Sequence, residues 1–316
     1  MGPSQVTEVT LPAEADAVGE PLGRALDLLG DQWTLLILQS VFRRVRRYTE
    51  LRTRLGVADA VLSARLRGLV DARVLDQAPY QDERRIRHEY RLTTRGLDLW
   101  RLLVGIWAWE RRWIPGRADE LPKLRHLSCG NAAVPNLGCG WCGELVTLSD
   151  TAVERAPDVP VAAAMLARRF RRQGWERASR DPLLFYPQTM EILGDRWATG
   201  ILTAAFLGAR RFANFQRELG IGPSILTERL RRLVDMEVLR TAPSVDRSGA
   251  SEYRLTAKAK AFFPMFAVLV DWASRHVGGD TGLRVLHRGC GNTLAPVLCC
   301  DRCSQVMDQR EVRFTL

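Results

Sequence analysis

The chain has 316 residues, with 46 Lys+Arg against 36 Asp+Glu, a formal net charge of +10, seven cysteines and four histidines. A composition of 46% hydrophobic and 26% charged residues is that of a soluble globular chain of two or three domains, at about 100–200 residues each, and excludes wholesale disorder, a collagen-like fibre and a small disulfide scaffold. The positive balance favours an anionic partner, with nucleic acid first. Apart from Lys123, Lys258 and Lys260 every cation is an arginine. Its planar fork can bond phosphate or guanine bidentately, although GC-rich coding produces the same bias. No apolar stretch approaches the roughly 20 residues of a membrane span. The polar, acidic residues 1–20 lack the charged and apolar regions of a signal peptide. The expectation is a cytoplasmic protein with no membrane partner, in which cysteines serve metal or redox chemistry rather than structural disulfides.

In chain order, residues 1–19 are expected to be a flexible N-terminus. Residues 22–29 carry apolar positions at helical spacing and stop at Gly30, and Asp31 offers an N-cap to a second helix over 33–42. Two amphipathic segments, 48–55 and 58–72, are separated by Gly56 and Val57, the glycine-containing break of a helix-turn-helix. Over 74–93, two β-prone runs flank the charged centre 81–88 and predict a hairpin. A long helix rich in Leu and Trp follows over 96–113. These elements make a first winged-helix domain over 20–116, followed by a small Cys/His module over 117–149. Residues 150–182 form a linker, whose basic amphipathic part, 161–180, is expected to dock on the second copy or to touch a DNA backbone.

The order then repeats, with helices over 188–193, 197–206, 212–219 and 223–236, a hairpin over 238–256 and a closing helix over 262–276. The identities confirm a duplication. ALDLLGDQW at 25–33 matches TMEILGDRW at 189–197, and LSARLRGLV at 62–70 matches LTERLRRLV at 226–234, both at an offset of 164; EYRLT recurs at 163. The second winged-helix domain spans 183–278, and a second Cys/His module spans 279–316. The fold class is therefore mainly α with small β (α+β), two winged helix-turn-helix domains, each with a short zinc-ribbon-like appendix. Trp33, Trp109, Trp197 and Trp272 recur between copies on apolar faces and are expected in the core.

The stretches LDLLGDQWTLLIL, RRYTELRTRLGVADAVLSARLRGLVDARVL and EYRLTTRG, and their counterparts EILGDRWATGIL, RRFANFQRELGIGPSILTERLRRLVDMEVL and EYRLTAKA, resemble the HxlR family of MarR-like winged-helix transcription regulators. The resemblance implies a regulator that binds double-stranded DNA and is not an enzyme. It also implies pairing through the first and last helices, so that two recognition helices meet successive major grooves. In a duplicated chain the two copies can pair within one molecule as a pseudo-dimer on an asymmetric operator, with a further homodimer left open.

The candidate recognition helices are 58–72 and 223–236. Ser63 and Arg67 on the first, and Ser224, Thr227 and Arg231 on the second, are candidate DNA contacts. Arg46, Arg47, Arg210 and Arg211 precede these helices, and Arg84, Arg85, Arg87 and Arg247 lie at the wings, where side chains track phosphates. The family usually carries a Lys or Arg near the helix start, where this chain has Ala60 and Ser224. Arg65 and Arg229 are expected to pair with a carboxylate such as Glu50. Weak tips motivate an alternative, a ligand- or protein-binding regulatory scaffold, redox- or metal-sensing, with little sequence readout. A small-molecule effector is compatible with either reading. The redox-sensing cysteine of some family members is replaced by Glu20 and Leu184.

The pattern His126-x2-Cys129-x9-Cys139-x2-Cys142 recurs as His287-x2-Cys290-x9-Cys300-x2-Cys303. Each set offers three thiolates and one imidazole, enough to close a tetrahedral zinc site. The expectation is Zn(2+), two per chain, one in each copy, with Gly140 and Gly143 shaping the first knuckle. Structural zinc, a redox or metal sensor, and disulfides or free thiols all remain open. Cys299 is left over, as an alternate ligand or a buried apolar residue.

Overall fold

The computed structural model describes residues 20–82, 85–156, 187–244 and 251–315. The expected flexible N-terminus, the basic helix over 161–180, Arg84 and Arg247 lie outside the described residues. Helix α1 (Glu20–Leu29) is followed by α2 (Gln32–Phe42), capped by Asp31, whose carboxylate accepts from the Thr34 N–H at 3.0 Å. Helix α3 (Tyr48–Leu55) stops at Gly56, which takes the left-handed φ of +61° that ends a helix cheaply only at glycine. Helix α4 (Asp59–Asp71) buries Leu62, Leu66 and Leu69, one apolar stripe at spacings of four and three. Strands β1 (Leu75–Asp82) and β2 (Arg85–Leu92) form the antiparallel wing.

The long closing helix expected over 96–113 is two helices, α5 (Thr94–Leu97) and α6 (Trp100–Trp113). The chain must press against the wing root at Gly96, where a Cβ would lie 2.2 Å from the Val74 carbonyl oxygen. Thr93 caps the short first piece by accepting from the Gly96 N–H at 3.1 Å. Helix α7 (Arg117–Glu120) and strands β3 (Lys123–His126), β4 (Pro135–Cys139) and β5 (Thr151–Arg155) complete the first half.

The second half repeats this order. It comprises α8 (Pro187–Leu193), α9 (Arg196–Phe206), α10 (Phe212–Leu219), α11 (Pro223–Asp235), β6 (Leu239–Pro243), β7 (Ser251–Leu255), α12 (Ala257–Lys260), α13 (Phe263–His276), β8 (Leu283–His287), β9 (Pro296–Cys300) and β10 (Val312–Thr315).

The two halves interlock about a pseudo-two-fold axis. Strand β4 pairs antiparallel with β9, and the register centres on Leu137 opposite Leu298, equivalent residues of the duplication. Strand β10 pairs with β3, and β5 with β8, so each half lends its last strand to the other. The self-contained appendices expected over 117–149 and 279–316 are therefore one shared unit. Among the described residues these segments make only isolated bridges within a half, such as Arg125–Ala132 and Gly138–Leu145, and their ladders form by crossing.

Above this unit, α1 packs against α13, and α6 packs against α8 and α13. The indole of Trp109 donates to the Lys258 carbonyl and that of Trp272 to the Arg95 carbonyl, both at 3.0 Å and both across the halves. Burial of two such rings stabilises the seam by roughly 4–6 kcal/mol each before entropic costs. Gly30 lets the backbones meet, because a Cβ there would stand 2.7 Å from the Leu193 carbonyl.

The interface is not symmetric in chemistry. Glu110 on α6 accepts from both the N–H and the hydroxyl of Thr189 on α8, at 2.8 Å each. At the equivalent positions stand Ala273 and Ala25, both buried. Pairing of the first half with another first half would set Glu110 opposite Ala25, which has no hydroxyl to donate, at a cost of about 1–3 kcal/mol. Heterotypic pairing is thus favoured by a single polar contact.

Burial holds the Glu110 carboxyl above its ordinary range, against the pull of the Thr189 donors. Such a group costs nothing below the pKa of the unfolded chain, and costs more as pH rises through the raised folded value. Glu110→Gln keeps the acceptor without the charge. Denaturant midpoints should show it no less stable than the parent at pH 7, with its relative standing falling toward pH 4, whereas Glu110→Ala should lose about 1–3 kcal/mol. A Gln variant that loses more stability at pH 7 than at pH 4 contradicts this.

Candidate metal centres and nucleic-acid interface

Each ligand motif folds as a tight turn. After His126 and Cys129 the chain reverses at Gly130 (φ +71°), whose N–H returns to the His126 carbonyl at 2.8 Å, and Gly291 (φ +72°) repeats this after His287 and Cys290. The Cys139–Cys142 knuckle closes at Gly143 (φ +76°). Ser304 occupies the equivalent place at φ +60°, a conformation that a side chain adopts only at some strain. Gly140, inside the knuckle, also donates to the Ala295 carbonyl at 2.8 Å in the crossed sheet.

The eight ligand candidates come together, but not in the sets that sequence order suggests. One cluster is His126, Cys129, Cys300 and Cys303, and the other is Cys139, Cys142, His287 and Cys290, with the ligand atoms of each within 4.8 Å of one another. Each takes its His–Cys pair from one half and its C-x2-C pair from the other. The expectation of one metal inside each copy is corrected accordingly: the β4–β9 register carries each knuckle across the axis to the opposite histidine.

The Cys129 and Cys300 sulfurs stand 3.9 Å apart, as do those of Cys139 and Cys290. The imidazole Nδ1 of His126 lies 3.4 Å from Cys303 Sγ, and that of His287 lies 3.4 Å from both Cys142 and Cys290 Sγ. A tetrahedral ion with sulfur at about 2.3 Å and nitrogen at about 2.0–2.1 Å requires edges of about 3.8 and 3.5 Å. Either cluster could hold one metal ion.

The electrostatics suit anionic ligands. The Cys129 thiol is pulled down to about 6, first by the Asn131 backbone N–H and then by His126 and its neighbouring thiols. Cys290 is likewise drawn to about 6 by the Asn292 backbone N–H and His287. Cys142 and Cys303 rise, in spite of the N–H groups of Glu144 and Gln305, because burial and adjacent thiols oppose a second negative charge. The shells differ: His287 Nε2 lies 3.8 Å from the Glu144 carboxylate, whereas His126 Nε2 is buried with no hydrogen-bond partner among the described residues. Cys299 belongs to neither cluster. It is buried against Gly138, where a Cβ would lie 2.5 Å from its sulfur, and burial pushes its thiol up.

The helix-turn-helix units rest on Asp31 and Asp195. Besides capping α2, Asp31 receives Arg65 bidentately, Nε at 2.8 Å and Nη2 at 2.9 Å. Asp195 caps α9 and pairs with Arg229 Nε at 2.8 Å. Both Arg65 and Arg229 find these caps rather than Glu50, and Arg229 also bonds its neighbour Glu228 at 2.6 Å. The contact locks each recognition helix to the helix behind it, which explains why the aspartate and the arginine recur together.

The two recognition tips differ in a way the sequence reading did not resolve. Tyr48 hydroxyl donates to Asp59 Oδ1 at 2.9 Å and lies 3.1 Å from Ser63 Oγ, and Arg52 pairs with Asp59 at 3.3 Å. The polar groups of the first tip are thus engaged with one another. In the second half the equivalents of Tyr48, Arg52 and Asp59 are Phe212, Gln216 and Pro223, so no such network forms. Ser224 and Thr227 are exposed, Thr227 making only the bond to the Pro223 carbonyl at 2.9 Å. Ile225 is exposed beside them, an apolar group that periodicity alone did not single out.

Arg67 and Arg231 are exposed on the helices, with Arg231 near Asp235 at 3.7 Å. Arg85 and Arg87 are exposed on the wing strand β2. Arg46 is half-buried against Glu89 at 4.0 Å, Arg47 lies over the Tyr80 ring at 4.5 Å, and Arg211 pairs with Glu252 at 3.5 Å. These three therefore also brace the wing, while Arg210 is exposed.

The model of the HxlR-like helix-turn-helix family matches residues 28–118 and 192–280. A Mycobacterium tuberculosis protein named an uncharacterized HTH-type transcriptional regulator is 43% identical over 139 residues, covering 44% of this chain and 87% of the relative. A similarly named protein of Bacillus subtilis is 31% identical over 93 residues, covering 29% of this chain and 86% of that one, and one of Synechocystis is 30% identical over 105 residues, covering 33% and 77%. Most of each relative thus corresponds to less than half of this chain. With two winged helix-turn-helix units that account for more than half of its length, the chain belongs to the HxlR-like helix-turn-helix family and is a DNA-binding transcription regulator.

Proposed function

We infer that one chain works as its own dimer on DNA, with one zinc ion in each crossed cluster. The observation that carries this is the interlock itself. Reciprocal tryptophan bonds, the exchanged strands and the shared ligand sets hold two helix-turn-helix units about a pseudo-two-fold axis without a second chain. The Glu110–Thr189 contact further favours this pairing over a homotypic one. No helix among the described residues is long and apolar enough to cross a membrane.

The ligand chemistry, three thiolates and one imidazole, suits zinc, which would neutralise the clustered thiolates and tie the halves together. Four protein donors leave no position for a substrate water, so the reading is structural and assigns no enzymatic step.

The unequal tips assign unequal tasks. Ser224, Ile225 and Thr227 are free to meet base edges and thymine methyl groups. The first tip, with Ser63 and Asp59 engaged by Tyr48, contributes mainly phosphate contacts through Arg46, Arg47, Arg67, Arg85 and Arg87. A chain of this kind reads an asymmetric operator. The small-molecule effector and any further homodimer are not needed for this step.

Footprinting should show one chain on an asymmetric site. Thr227→Ala should relax base preference under α11 by about 1–3 kcal/mol, while Ser63→Ala changes preference little and Arg47→Ala weakens binding to all sequences and lowers the salt slope by about one. A perfect palindrome bound by two chains, or a dominant Ser63 effect, contradicts the reading. Metal retention gives a second test. Ligands bind deprotonated, so zinc and protons compete for the same thiolates; two zinc ions per chain should persist at pH 7 and be lost progressively on acidification, with loss of thermal stability. Less than one zinc per chain after purification without chelator contradicts it.

A further inference from the structure

Between the lent strand β5 of the first half and the wing root of the second lies a cavity of about 640 Å³, within the size range of small-molecule sites. Phe206, Leu207 and Leu255 give it an apolar wall, and Arg210, Arg240, Arg254, Lys260 and Arg288 surround it. No carboxylate is among the described residues that line it. Arg254 has Glu252 at 3.3 Å, and Arg288 uses its Nε on the Thr151 carbonyl at 3.0 Å. Arg210, Arg240 and Lys260 have no ion pair among the described residues. Five cations around one concave surface focus a positive field into it.

The duplication supplies an internal control. The first-half equivalents of Arg240, Lys260 and Arg288 are Asp76, Leu97 and Leu127. The overlapping cavity of the first half is about 350 Å³, is shifted toward Trp100 and Trp107, and carries Arg43 and Arg313 where the second half has Leu207 and Ala152; Phe314, whose ring meets Trp107 edge-on at 5.3 Å, stands where the second half has Val153. One scaffold thus carries an aromatic ring and two arginines around a narrower cavity in one half, and five cations around a wider one in the other. Packing does not require Arg240, Lys260 or Arg288, since the same fold carries Asp and Leu at those three positions, whereas Arg210 and Arg254 have Arg46 and Arg91 as counterparts.

We propose that this cavity binds a small amphipathic anion, a carboxylate or phosphate monoester carried on an apolar body. The oxyanion sits among Arg240, Lys260 and Arg288, and the apolar body lies against Phe206 and Leu255. Such a ligand touches β5, which continues from the Cys139–Cys142 knuckle, and the stems of β6 and β7, which carry the second wing. Its role as an effector rests on the DNA-binding reading, but its occupancy of the cavity does not.

Calorimetric titration of the full, metal-loaded chain tests it with phenyl phosphate, benzoate and neutral benzyl alcohol, and with inorganic phosphate to separate the anion from the apolar body. At least one of the two aryl anions should bind saturably, one per chain, with inorganic phosphate weaker and benzyl alcohol silent. The relative affinity of the two separates a phosphate from a carboxylate ligand. The double variant Arg240→Asp with Lys260→Leu installs the residues of the first half and should lower aryl-anion affinity roughly tenfold or more with metal content unchanged. Arg210→Ala offers a milder second variant that should weaken binding in the same direction. Absence of saturable binding by both aryl anions, or binding that the variants leave unchanged, overturns the proposal. So does a loss confined to DNA affinity, which would make the patch a phosphate-backbone contact.

Discussion

The structure turns on an exchange of candidate metal ligands. A histidine–cysteine pair from one half meets a C-x2-C pair from the other, twice, so that neither half completes a four-donor cluster alone. Everything else near the axis follows that constraint. The strands carrying the ligands must cross, β4 to β9, β5 to β8 and β10 to β3, and the closing helices α6 and α13 must meet above them. The seam then gathers Trp109 and Trp272, whose indoles donate to carbonyls of the opposite half. A duplicated winged helix is thereby held as a pair rather than as two beads on a linker, and the separation of its recognition helices becomes a property of a single chain.

Fusion of two copies removes the demand that both sides of an interface be identical, and this chain has used that freedom in three places. Glu110 accepts two bonds from Thr189 on one carboxylate oxygen where the mirror position holds two alanines. One recognition tip is engaged by Tyr48 while the other presents Ser224, Ile225 and Thr227. One cavity is narrowed by Phe314 while its counterpart is lined by cations. The net charge of +10 is unevenly placed: among the described residues, arginines brace the wings, surround a cavity and flank the helix-turn-helix, and few stand at the helix tips.

Much of this was legible in the sequence, because local rules govern it. The helical periods, the Gly56 turn, the hairpins and the eight ligand positions all follow from spacing and residue type, and the repeat made each reading checkable against its copy. The ligand grouping was not legible for a physical reason. Identical spacing in both copies is satisfied equally by local and by crossed sets, and only strand pairing decides between them. The partner of Arg65 was missed because Asp31 lies 34 positions away in sequence and was already accounted for as a cap. The closing helix was expected to be continuous because nothing in its periodicity reveals how tightly Gly96 must approach the wing root.

The central claim, that the metal ligands are shared between halves, is tested most directly by removing one knuckle and asking which thiol loses its protection. In the variant Cys139→Ser with Cys142→Ser, one zinc should remain, and alkylation with peptide mapping should find Cys290 newly reactive while Cys129 stays protected. Reactive Cys129 with protected Cys290 would mean that each copy closes its own site, and would contradict the account.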